Sequence, residues 1–319
     1  MRYTCGNRMD TLVVGTRGSP LALAQTRRVT AALINLCPGL IIQERIVRTT
    51  GDRMADAAPT GTPGVGLFTK ELERALMDGT IDFAVHSLKD LPTLPQPSLS
   101  VAAVPVREDP RDVLVLPQGE GAAPGPNGIP LPLGAVVGTS SPRRQAQLRS
   151  VRPDLAFRDI RGNVDTRLRK IDAREYDAGV FALAGLRRLG LAHRSVYVLP
   201  PDVCTPAPGQ GALALQCRAN DTRTCSLLAL LHHPQTAAEV TAERSLLRAL
   251  GGGCSVPVGA LGRAESNKLS LLACIADPSG EAVIRVRLES DVSSAEALGE
   301  KTAEELLRRG GQSILRRTL

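Results

Sequence analysis

The sequence predicts an α/β protein with two similar α/β units, followed by a smaller α+β unit. Three observations predict this fold class. Strand patterns alternate with helix patterns up to about residue 224, which is typical of mostly parallel sheets. Proline-marked segments at 105–110 and 200–208 interrupt the alternation, so we expect the chain to cross between units there. From about residue 225 the pattern changes to a long helix, two strands and a last helix.

The individual elements are predicted in chain order from hydrophobic periodicity. Strand, polar turn and helix repeat through both α/β units, whereas 50–66 is rich in Gly, Pro, Ala and Thr and is predicted to be a mobile loop. The predicted strands are 11–16, 40–48, 81–85, 113–116, 135–137, 156–160, 178–183, 269–277 and 282–289. The predicted helices are 21–36, 68–77, 142–149, 164–173, 184–189, 236–250 and 294–309.

This order of elements predicts three domains. They comprise residues 1–105 with 200–224, residues 106–199, and residues 225–319. We expect the first two to form a hinged pair with a cleft between them. Ligands of such sheets bind beyond the carboxyl ends of the parallel strands, and several polar motifs of this chain follow those ends.

The charge of the chain is concentrated in one segment. The net charge is +7, and between residues 139 and 188 eleven arginines and one lysine stand against six acidic residues. Planar guanidinium groups suit forked binding of carboxylates or phosphates. We therefore expect a ligand with several acidic groups, although an arginine pair such as Arg187 and Arg188 usually lies on a solvated helix face.

Cysteine usage and hydropathy predict a cytoplasmic protein. The seven cysteines are scattered without C-x-x-C spacing, which argues against a disulfide framework or a zinc site. No metal site is expected, because His232 and His233 are adjacent rather than spaced along one helix face. No apolar run is long enough to span a membrane, and residues 1–10 lack the apolar core of a secretory signal.

Three of the polar motifs share one arrangement, a strand followed by a polar turn and a helix start. In Thr16-Arg17-Gly18-Ser19-Pro20, the helix-start N–H groups, a hydroxyl and a guanidinium form an anion site, and capping by Ser19 is the simpler interpretation. The segment 137–144 (VGTSSPRR) repeats this arrangement in the second unit, and 161–167 (RGNVDTR) also follows a strand.

The remaining strand-end motif, 85–92 (VHSLKDLP), places four polar side chains within five positions. Asp90 could accept hydrogen bonds from ring N–H groups or transfer protons, and Lys89 could bind an acidic group of a substrate. The alternative is a surface Lys–Asp pair, which would contribute little. We do not expect a nucleophile built from His86 and Ser87, since they are too close in sequence to face each other.

A glycine-rich turn at 251–259 (GGGCSVPVG) follows a strongly helical run. Glycines add no side chains that would shield a thiol, so Cys254 is a candidate covalent attachment point. Taken alone, the segment slightly favours the simpler interpretation, a small residue that fills a tight turn.

Together these residues resemble the porphobilinogen deaminase (hydroxymethylbilane synthase) family. The matching segments are GTRGSPLALAQ, TTGD, GLFTKELE, DFAVHSLKDLP, REDPRD, VGTSSPRRQAQL, RDIRGNVDTRL, YDAGVFALAGLRRLG, PAPGQGALALQCR and GGGCSVPVGA. They run from residue 11 to about residue 262 in the family's order. After that point the resemblance is limited to the strand and helix pattern.

The resemblance implies a transferase of tetrapyrrole (heme-type) biosynthesis. Such enzymes join four molecules of the substrate porphobilinogen head to tail into hydroxymethylbilane and release ammonia at each step. The implied fold has two hinged α/β domains like those of type II periplasmic binding proteins, plus a small C-terminal α+β domain. A dipyrromethane cofactor is implied, attached to Cys254 through a thioether. A monomer that binds neither nucleic acid nor membranes is expected.

The resemblance also assigns roles to individual positions, with Asp90 as the catalytic carboxylate. The residues at cofactor-binding positions are Cys254, Lys89, Ser87, Thr139, Ser140, Ser141, Arg143, Arg144, Arg161 and Gly162. The residues at substrate-binding positions are Arg17, Ser19, Phe68, Arg167, Arg188 and Gln210. A chain of six pyrroles carries about a dozen carboxylates, which would account for the arginine excess.

Three features depart from the family pattern. Val65 stands where many relatives carry a lysine, Gly251 stands where an acidic residue is frequent, and the Gly/Pro-rich segment 118–132 looks longer than usual. None of them touches Cys254 or Asp90, so we expect activity to be kept. Only the behaviour of the loop at 52–66, which the resemblance implies is a lid, is expected to differ.

Two other classes of protein would explain parts of the sequence. A hinged binding protein without catalysis would suit the paired α/β units, but the missing signal peptide and the exposed turn at Cys254 count against it. A nucleic-acid binder would suit the basic charge, but only 2% of the residues are aromatic and none is tryptophan, so stacking platforms are nearly absent.

Overall fold

The computed structural model describes residues 11–48, 69–94, 96–121, 125–194, 196–251 and 257–318. The chain divides into two compact units. Unit 1 comprises residues 1–107 and 212–234, and unit 2 comprises residues 108–211 and 235–319.

Strands and helices alternate through most of the described residues. The strands are β1 (Thr11–Thr16), β2 (Ile41–Ile46), β3 (Phe83–Ser87), β4 (Leu99–Ala103), β5 (Asp112–Val115), β6 (Val136–Gly138), β7 (Ala156–Arg158), β8 (Ala178–Ala182), β9 (Tyr197–Val198), β10 (Leu213–Arg218), β11 (Val258–Glu265), β12 (Lys268–Ala276) and β13 (Val283–Asp291). The helices are α1 (Pro20–Leu36), α2 (Lys70–Met77), α3 (Pro142–Val151), α4 (Val164–Asp172), α5 (Leu183–Arg188), α6 (Thr222–Ala229), α7 (Pro234–Ala249), α8 (Ala295–Leu306) and α9 (Gln312–Thr318). Among the described residues, no helix has the length and apolar character needed to cross a bilayer.

Unit 1 is built on a five-stranded sheet in the order β2-β1-β3-β10-β4. The first three strands are parallel, and β10 runs antiparallel to both of its neighbours. On one face Phe83 packs with Leu33 of α1 and Leu228 of α6, and on the other face Ala84 packs with Leu76 of α2. Because both faces are covered, the central strands β1 and β3 are largely buried, whereas the edge strand β2 is mostly exposed.

Unit 2 contains a second five-stranded sheet in the order β7-β6-β8-β5-β9. Here β6 is parallel to β7 and β8, whereas β5 is antiparallel to β8 and β9. Leu114 packs with Leu148 of α3, and the preceding Val113 packs on the other face with Ile171 of α4 and Leu186 of α5. Both units therefore have three parallel strands followed by an antiparallel fourth strand.

A three-stranded antiparallel sheet, β11-β12-β13, also belongs to unit 2. Alternate residues of β12, among them Leu271 and Ile275, share a core with Leu298 of α8 and Leu246 of α7. Helices α7 and α8 cover one side of this sheet, and on the other side the Cys274 thiol of β12 donates to the Gln147 side chain of α3 at 3.3 Å. The sheet forms the predicted α+β part of the chain.

The helix starts explain why the polar motifs can be recognised in the sequence. The hydroxyl of Ser19 accepts a hydrogen bond from the N–H of Ala22 at 3.3 Å at the start of α1, and Pro20 follows at the first helical position. Ser141 caps α3 in the same way, with Pro142 next to it. The predicted capping by Ser19 is confirmed.

The predicted fold class is confirmed, and most predicted elements lie within two residues of the observed ones. Sequence patterns did not predict β4, β9, β10, β11, α6 or α9, and the helix predicted at 294–309 is observed as α8, which continues as a π-helical turn at Leu307–Gly311. The chain changes direction after α8 at Gly310, whose φ is 106°. The predicted mobile loop at 50–66, with Val65, lies outside the described residues. The division into three domains stays a prediction.

Candidate active site

The carboxyl ends of parallel strands bring the sequence motifs together within each unit. In unit 1, β1 and β3 are adjacent and parallel, so the turns that carry Arg17 and Asp90 lie at one edge of the sheet. In unit 2, β6 and β7 are adjacent and parallel, so the segments 139–144 and 161–167 follow neighbouring strand ends.

Asp90 lies at the end of a short 3₁₀ turn that two buried leucines hold in place. The turn follows β3 directly. Leu88 and Leu91 are 2% and 6% exposed, whereas Lys89 and Asp90 between them are exposed. No described residue forms a hydrogen bond or an ion pair with the Asp90 carboxylate. Its two oxygens are therefore available to N–H donors of a ligand.

Ser87 is oriented by helix α1. The side-chain amide of Gln25 donates to the Ser87 hydroxyl at 3.0 Å, and Gln25 is 4% exposed. Gln25 was not predicted to have a role, although it is the last residue of the segment GTRGSPLALAQ. Arg17 is half-buried near this strand end, and Ser19 uses its hydroxyl to cap the helix.

His86 faces the opposite side of the sheet from Ser87. It is 5% exposed, and burial lowers its pKa to about 4, with the nearby polar side chain of Gln216 acting in the opposite direction and the positive charge of Arg17 in the same direction. The imidazole is therefore neutral at neutral pH. Because Ser87 bonds to Gln25 instead, the structure contains no Ser–His nucleophile at this position, as expected.

The hydroxyl-rich turn after β6 is joined to the turn after β7. The Ser140 hydroxyl donates to the Ile160 carbonyl and accepts from the Ile160 N–H, each at 3.1 Å. The Thr139 hydroxyl accepts from the N–H of Ser141 at 3.2 Å, and Ser141 caps α3. These three hydroxyls thus order the two turns that precede the arginines.

Arg143 and Arg144 are buried and share one carboxylate, that of Asp112. Arg143 Nη1 lies 2.7 Å from Asp112 Oδ2, and Arg144 Nη2 lies 2.7 Å from Oδ1. The three residues are 6%, 7% and 0% exposed. Burial alone would raise the pKa of Asp112, but the two guanidinium groups outweigh it and hold that pKa well below its usual range.

Asp112 was not predicted as a site residue, although the sequence contains a signal for it. Asp112 closes the segment REDPRD and comes directly before the predicted strand 113–116. A charged residue at the start of a buried strand needs a partner of opposite charge. The assignment of Arg143 and Arg144 to cofactor binding stays a prediction.

Gln210 and Cys204 complete the surroundings of Asp112. The Gln210 amide donates to Asp112 Oδ1 at 2.9 Å and to the Pro110 carbonyl at 2.6 Å. Burial raises the pKa of Cys204 to about 12, so its thiol stays protonated and donates to Oδ2 at 3.4 Å. Gln210, predicted to bind substrate, is 0% exposed and lies in the interior of unit 2.

Gly162 shapes the turn that directs Arg167. Its φ is +109°, and a Cβ at this position would lie 2.8 Å from Thr166 Cγ2, so glycine is required here. The Gly162 carbonyl accepts a hydrogen bond from Arg167 Nε at 2.7 Å. Burial lowers the pKa of Arg167 to about 10, and repulsion by Arg144 adds to the effect.

Arg161 and Arg188 have different surroundings. Arg161 is exposed, with its Nη2 3.9 Å from Asp159 Oδ2. Arg188 is half-buried, and its Nη2 donates to the Gly211 carbonyl at 2.6 Å.

Two predicted site residues, Cys254 and Phe68, lie outside the described residues. Helix α7 and strand β11 flank the segment that contains Cys254. Gly251, at the end of α7, has a φ of +88°, and its N–H donates to the Arg248 carbonyl at 3.0 Å. This left-handed conformation at a helix end favours glycine, which gives a physical reason for the departure from the family pattern at this position.

A buried glutamate fixes both elements that flank the cysteine segment. Glu243 of α7 is 0% exposed. Its carboxylate accepts from the N–H of Gly209 at 2.6 Å and from the N–H of Gly262 in β11 at 2.8 Å. Gly209 precedes Gln210, which contacts Asp112. Within unit 2, α7 and β11 are thus tied to the segment that supports the arginines.

The chemistry of this cluster suits a ligand with several carboxylates. Arg143, Arg144 and Arg167 carry three positive charges, and Asp112 supplies one negative charge, which leaves +2. No other described carboxylate forms an ion pair with these three arginines. Guanidinium groups at low exposure bind carboxylates strongly, because both partners are shielded from water.

Solved structures with partial likeness include the VFT2 domain of a BvgS double mutant from Bordetella pertussis (TM-score 0.40, 17% identical, covering 69% of this chain and 84% of that chain). Another is the extracellular-binding protein ytmK of a probable amino-acid ABC transporter from Bacillus subtilis (TM-score 0.40, 7% identical, covering 70% and 90%). Both scores are below 0.5, so the fold assignment rests on the strand orders given above.

Sequence relatives are much closer. Residues 12–226 match the family described as porphobilinogen deaminase, dipyromethane cofactor binding domain, and residues 237–308 match the porphobilinogen deaminase C-terminal domain. The porphobilinogen deaminase of Thermus thermophilus is 48% identical over 308 residues, covering 96% of this chain and 99% of that protein. The porphobilinogen deaminase of Syntrophotalea carbinolica is 47% identical over 304 residues, covering 95% of each. The chain belongs to the porphobilinogen deaminase family.

Proposed function

We propose that this protein is a porphobilinogen deaminase that joins four porphobilinogen molecules into hydroxymethylbilane and releases ammonia at each step. The observation that carries this function is the agreement in sequence with porphobilinogen deaminases over 96% of the chain. The exposed Asp90 at a strand end of unit 1 and the cationic cluster of unit 2 provide the two kinds of group that the reaction needs.

Asp90 is proposed as the catalytic carboxylate. When ammonia leaves porphobilinogen, positive charge develops on the pyrrole and its methylene carbon. An ionised carboxylate that accepts hydrogen bonds from pyrrole N–H groups stabilises this charge and orients the ring. The short turn between Leu88 and Leu91 holds Asp90 at the surface for this task.

The arginines of unit 2 are proposed to hold acidic side chains of the pyrroles. A dipyrromethane carries four carboxylates, which fits a cluster with a net positive charge and several N–H donors. When bound to Cys254 by a thioether, this group supplies the end on which the tetrapyrrole is assembled. Arg161, Arg167 and Arg188 are proposed to contact carboxylates, while Ser140 and Ser141 hold the adjoining turns in place.

Other properties are proposed on general grounds. The cysteine pattern supports a cytoplasmic location, and the low aromatic content supports a protein that does not bind nucleic acid. The gap between the two family matches, at 227–236, supports a third domain that begins near residue 225. We further propose that the enzyme is a monomer.

Intact mass tests the proposed function. The purified wild-type protein should be heavier than its sequence by two pyrrole units, and brief exposure to porphobilinogen should add further units in discrete steps. Cys254→Ser should fold but lack the added mass, because a neutral hydroxyl is a much weaker nucleophile than a thiolate. The half-buried Cys225 is a matched control, and Cys225→Ser should keep the two units. A wild-type protein that is fully active at its bare sequence mass would contradict the proposal.

A further inference from the structure

The segment REDPRD (107–112) matches the family pattern but has no part in the chemistry proposed above. It ends at Asp112, which is 0% exposed at the start of β5. Asp112 Oδ1 accepts hydrogen bonds from Arg144 and Gln210, and Oδ2 accepts from Arg143. One carboxylate therefore joins two neighbouring arginines and a residue from a distant part of the chain.

These contacts fix the direction of both guanidinium groups. Arg144 places Nε and Nη2 at 3.1 and 2.7 Å from Asp112 Oδ1, and its Nη1 donates to the Val180 carbonyl at 2.9 Å. Arg143 directs Nη1 to both Asp112 Oδ2 and the Thr205 carbonyl, each at 2.7 Å. Neither guanidinium can rotate without losing a charged hydrogen bond in a water-poor interior.

Asp112 also makes the side-by-side placement of two buried cations possible. Arg143 and Arg144 are adjacent in sequence, and both lie in the interior. Without a shared anion, their repulsion and loss of hydration would drive the side chains apart or towards solvent. The carboxylate neutralises only one of the two charges, so the pair keeps its attraction for an anionic ligand.

We propose that Asp112 is a positioning residue that orients Arg143 and Arg144 towards the carboxylates of the pyrrole chain. It touches no ligand in this scheme and acts through the two arginines. The inference rests on the proposed function, because it assumes that these arginines meet pyrrole carboxylates.

A purely structural ion pair elsewhere in unit 2 provides the matched control. Arg152 is 0% exposed and lies 2.7 Å from Asp154. Its other donors bind the carbonyls of Ile129, Leu131 and Pro132, none of which belongs to the candidate site. Asp154→Asn removes a charged partner from a buried arginine of the same unit without touching Arg143 or Arg144.

The first experiment measures cofactor loading. Asp112→Asn, Asp154→Asn and wild type are produced without cofactor, porphobilinogen is titrated, and the loaded fraction is read by intact mass. We expect Asp112→Asn to need about tenfold more porphobilinogen or more, whereas Asp154→Asn loads like wild type. Arg144→Lys keeps the charge but loses the double contact with Oδ1, so it should shift loading in the same direction. Its effect should not add to that of Asp112→Asn in the double variant, because both act on one contact.

The second experiment avoids the covalent cofactor. In a Cys254→Ser background, thermal unfolding is followed with citrate, a tricarboxylate, and with sodium chloride at equal ionic strength. Citrate should raise the midpoint more than chloride in this background and in the Asp154→Asn variant, but not in the Asp112→Asn variant. If Asp112→Asn fails to fold, Arg144→Lys takes its place in both experiments.

The outcomes separate this inference from the proposed function. A wild-type protein that never acquires pyrrole units contradicts the proposed function, and the citrate comparison still tests Asp112. A wild-type protein that loads, together with Asp112→Asn and Arg144→Lys variants that load at the same porphobilinogen concentration and keep the citrate shift, overturns the positioning role.

Discussion

Two aspartates of this protein show how the surroundings of a residue decide its task. Asp90 lies at the surface on a turn held by buried leucines, so its charge faces outward. Asp112 is enclosed by two guanidinium groups, so its negative charge is neutralised by ion pairs inside the protein. A carboxylate that must interact with a substrate has to be accessible, and this favours Asp90 for catalysis and Asp112 for positioning.

Replacing Asp90 by asparagine tests the catalytic assignment. The amide keeps the shape of the side chain but removes the charge that stabilises a cationic pyrrole, so turnover should fall about a hundredfold or more while the covalent cofactor or a stalled chain is kept. Steady-state rates and intact mass measure the two effects. Asp78→Asn, which changes an exposed acid of the same unit, should leave both unchanged. Near-normal turnover of the Asp90 variant would show that Asp90 is a surface residue without a catalytic role.

His86 makes the stability of the fold depend on pH. Its pKa falls from 6.5 to about 4 because burial disfavours the charged imidazole. Between these two values the unfolded chain binds a proton that the folded protein does not bind, so stability rises with pH. The contribution is complete above pH 6.5 and is lost as the pH falls towards 4, with a total of about 3 kcal/mol.

Urea unfolding between pH 5 and 7.5 measures this dependence. His86→Gln should flatten the curve, since glutamine cannot bind the proton. His193→Gln, which removes a histidine from the surface, should leave the slope unchanged. Equal slopes for wild type and His86→Gln would show that burial of His86 does not set the pH dependence.

Sequence patterns could locate the candidate residues but not their surroundings. The motifs at strand ends are local, so the positions of Asp90, Arg161 and Arg167 follow from short segments. The burial of Arg143 depends on Asp112, which is 31 residues away in the chain, and on Thr205, which is 62 residues away. No local pattern contains such a pairing.

At the scale of secondary structure, the same distinction explains which elements were predicted. Helix α1 and helix α3 begin at a serine cap followed by proline, and both starts were found. Strand β10 was missed because its run of small and apolar residues is defined by pairing with β3 and β4, which lie more than a hundred residues earlier. Strand β11 has the same difficulty, since its glycines weaken the apolar pattern.

The turn between β7 and α4 provides a test at this scale. Gly162→Ala introduces a Cβ at a φ of +109°, 2.8 Å from Thr166 Cγ2, and should destabilise the protein by about 1–3 kcal/mol. It should also weaken substrate binding, because the Gly162 carbonyl positions Arg167.

Gly190→Ala is the matched control: its φ is +72°, but no atom lies within 4 Å of the new Cβ, so we expect a loss of only about 1 kcal/mol and normal binding. Denaturant unfolding and the KM for porphobilinogen report the two effects. An equal loss of stability in both variants would show that the contact with Thr166 does not matter.

At the scale of the whole molecule, the charge count of the sequence overstated the charge available to a ligand. Six of the eleven arginines between 139 and 188 form ion pairs in the described structure, and four acceptors, Asp112, Glu120, Glu108 and Asp109, lie outside that segment. A charge count limited to residues 139–188 therefore includes these arginines but omits the carboxylates that pair with them. What remains for a ligand is the net positive charge of the cluster formed by Arg143, Arg144 and Arg167.

The path of the chain between the two units leads to a test of folding. The sheet of unit 1 needs β10, which lies between β3 and β4, yet the chain supplies it only after passing through most of unit 2. A fragment that ends at residue 107 would leave β3 and β4 without their shared partner, with unpaired backbone groups and an uncovered core that includes Leu215. We expect it to remain unfolded or to aggregate.

A joined fragment should restore the sheet. In unit 2 the N–H of Glu108 donates to the carbonyl of Gly211 at 3.2 Å, so the outgoing and returning segments run side by side at this point. A linker of about four Gly and Ser residues can therefore connect 107 to 212 and give unit 1 as a single chain, residues 1–107 and 212–234. This chain should unfold cooperatively in urea, with a transition followed by circular dichroism, because it contains all five strands and α6.

The control is residues 1–107 joined by the same linker to 219–234. This chain omits β10 and should show no transition. Cooperative unfolding of the fragment 1–107 alone would mean that β10 is dispensable and that unit 1 does not depend on the returning chain.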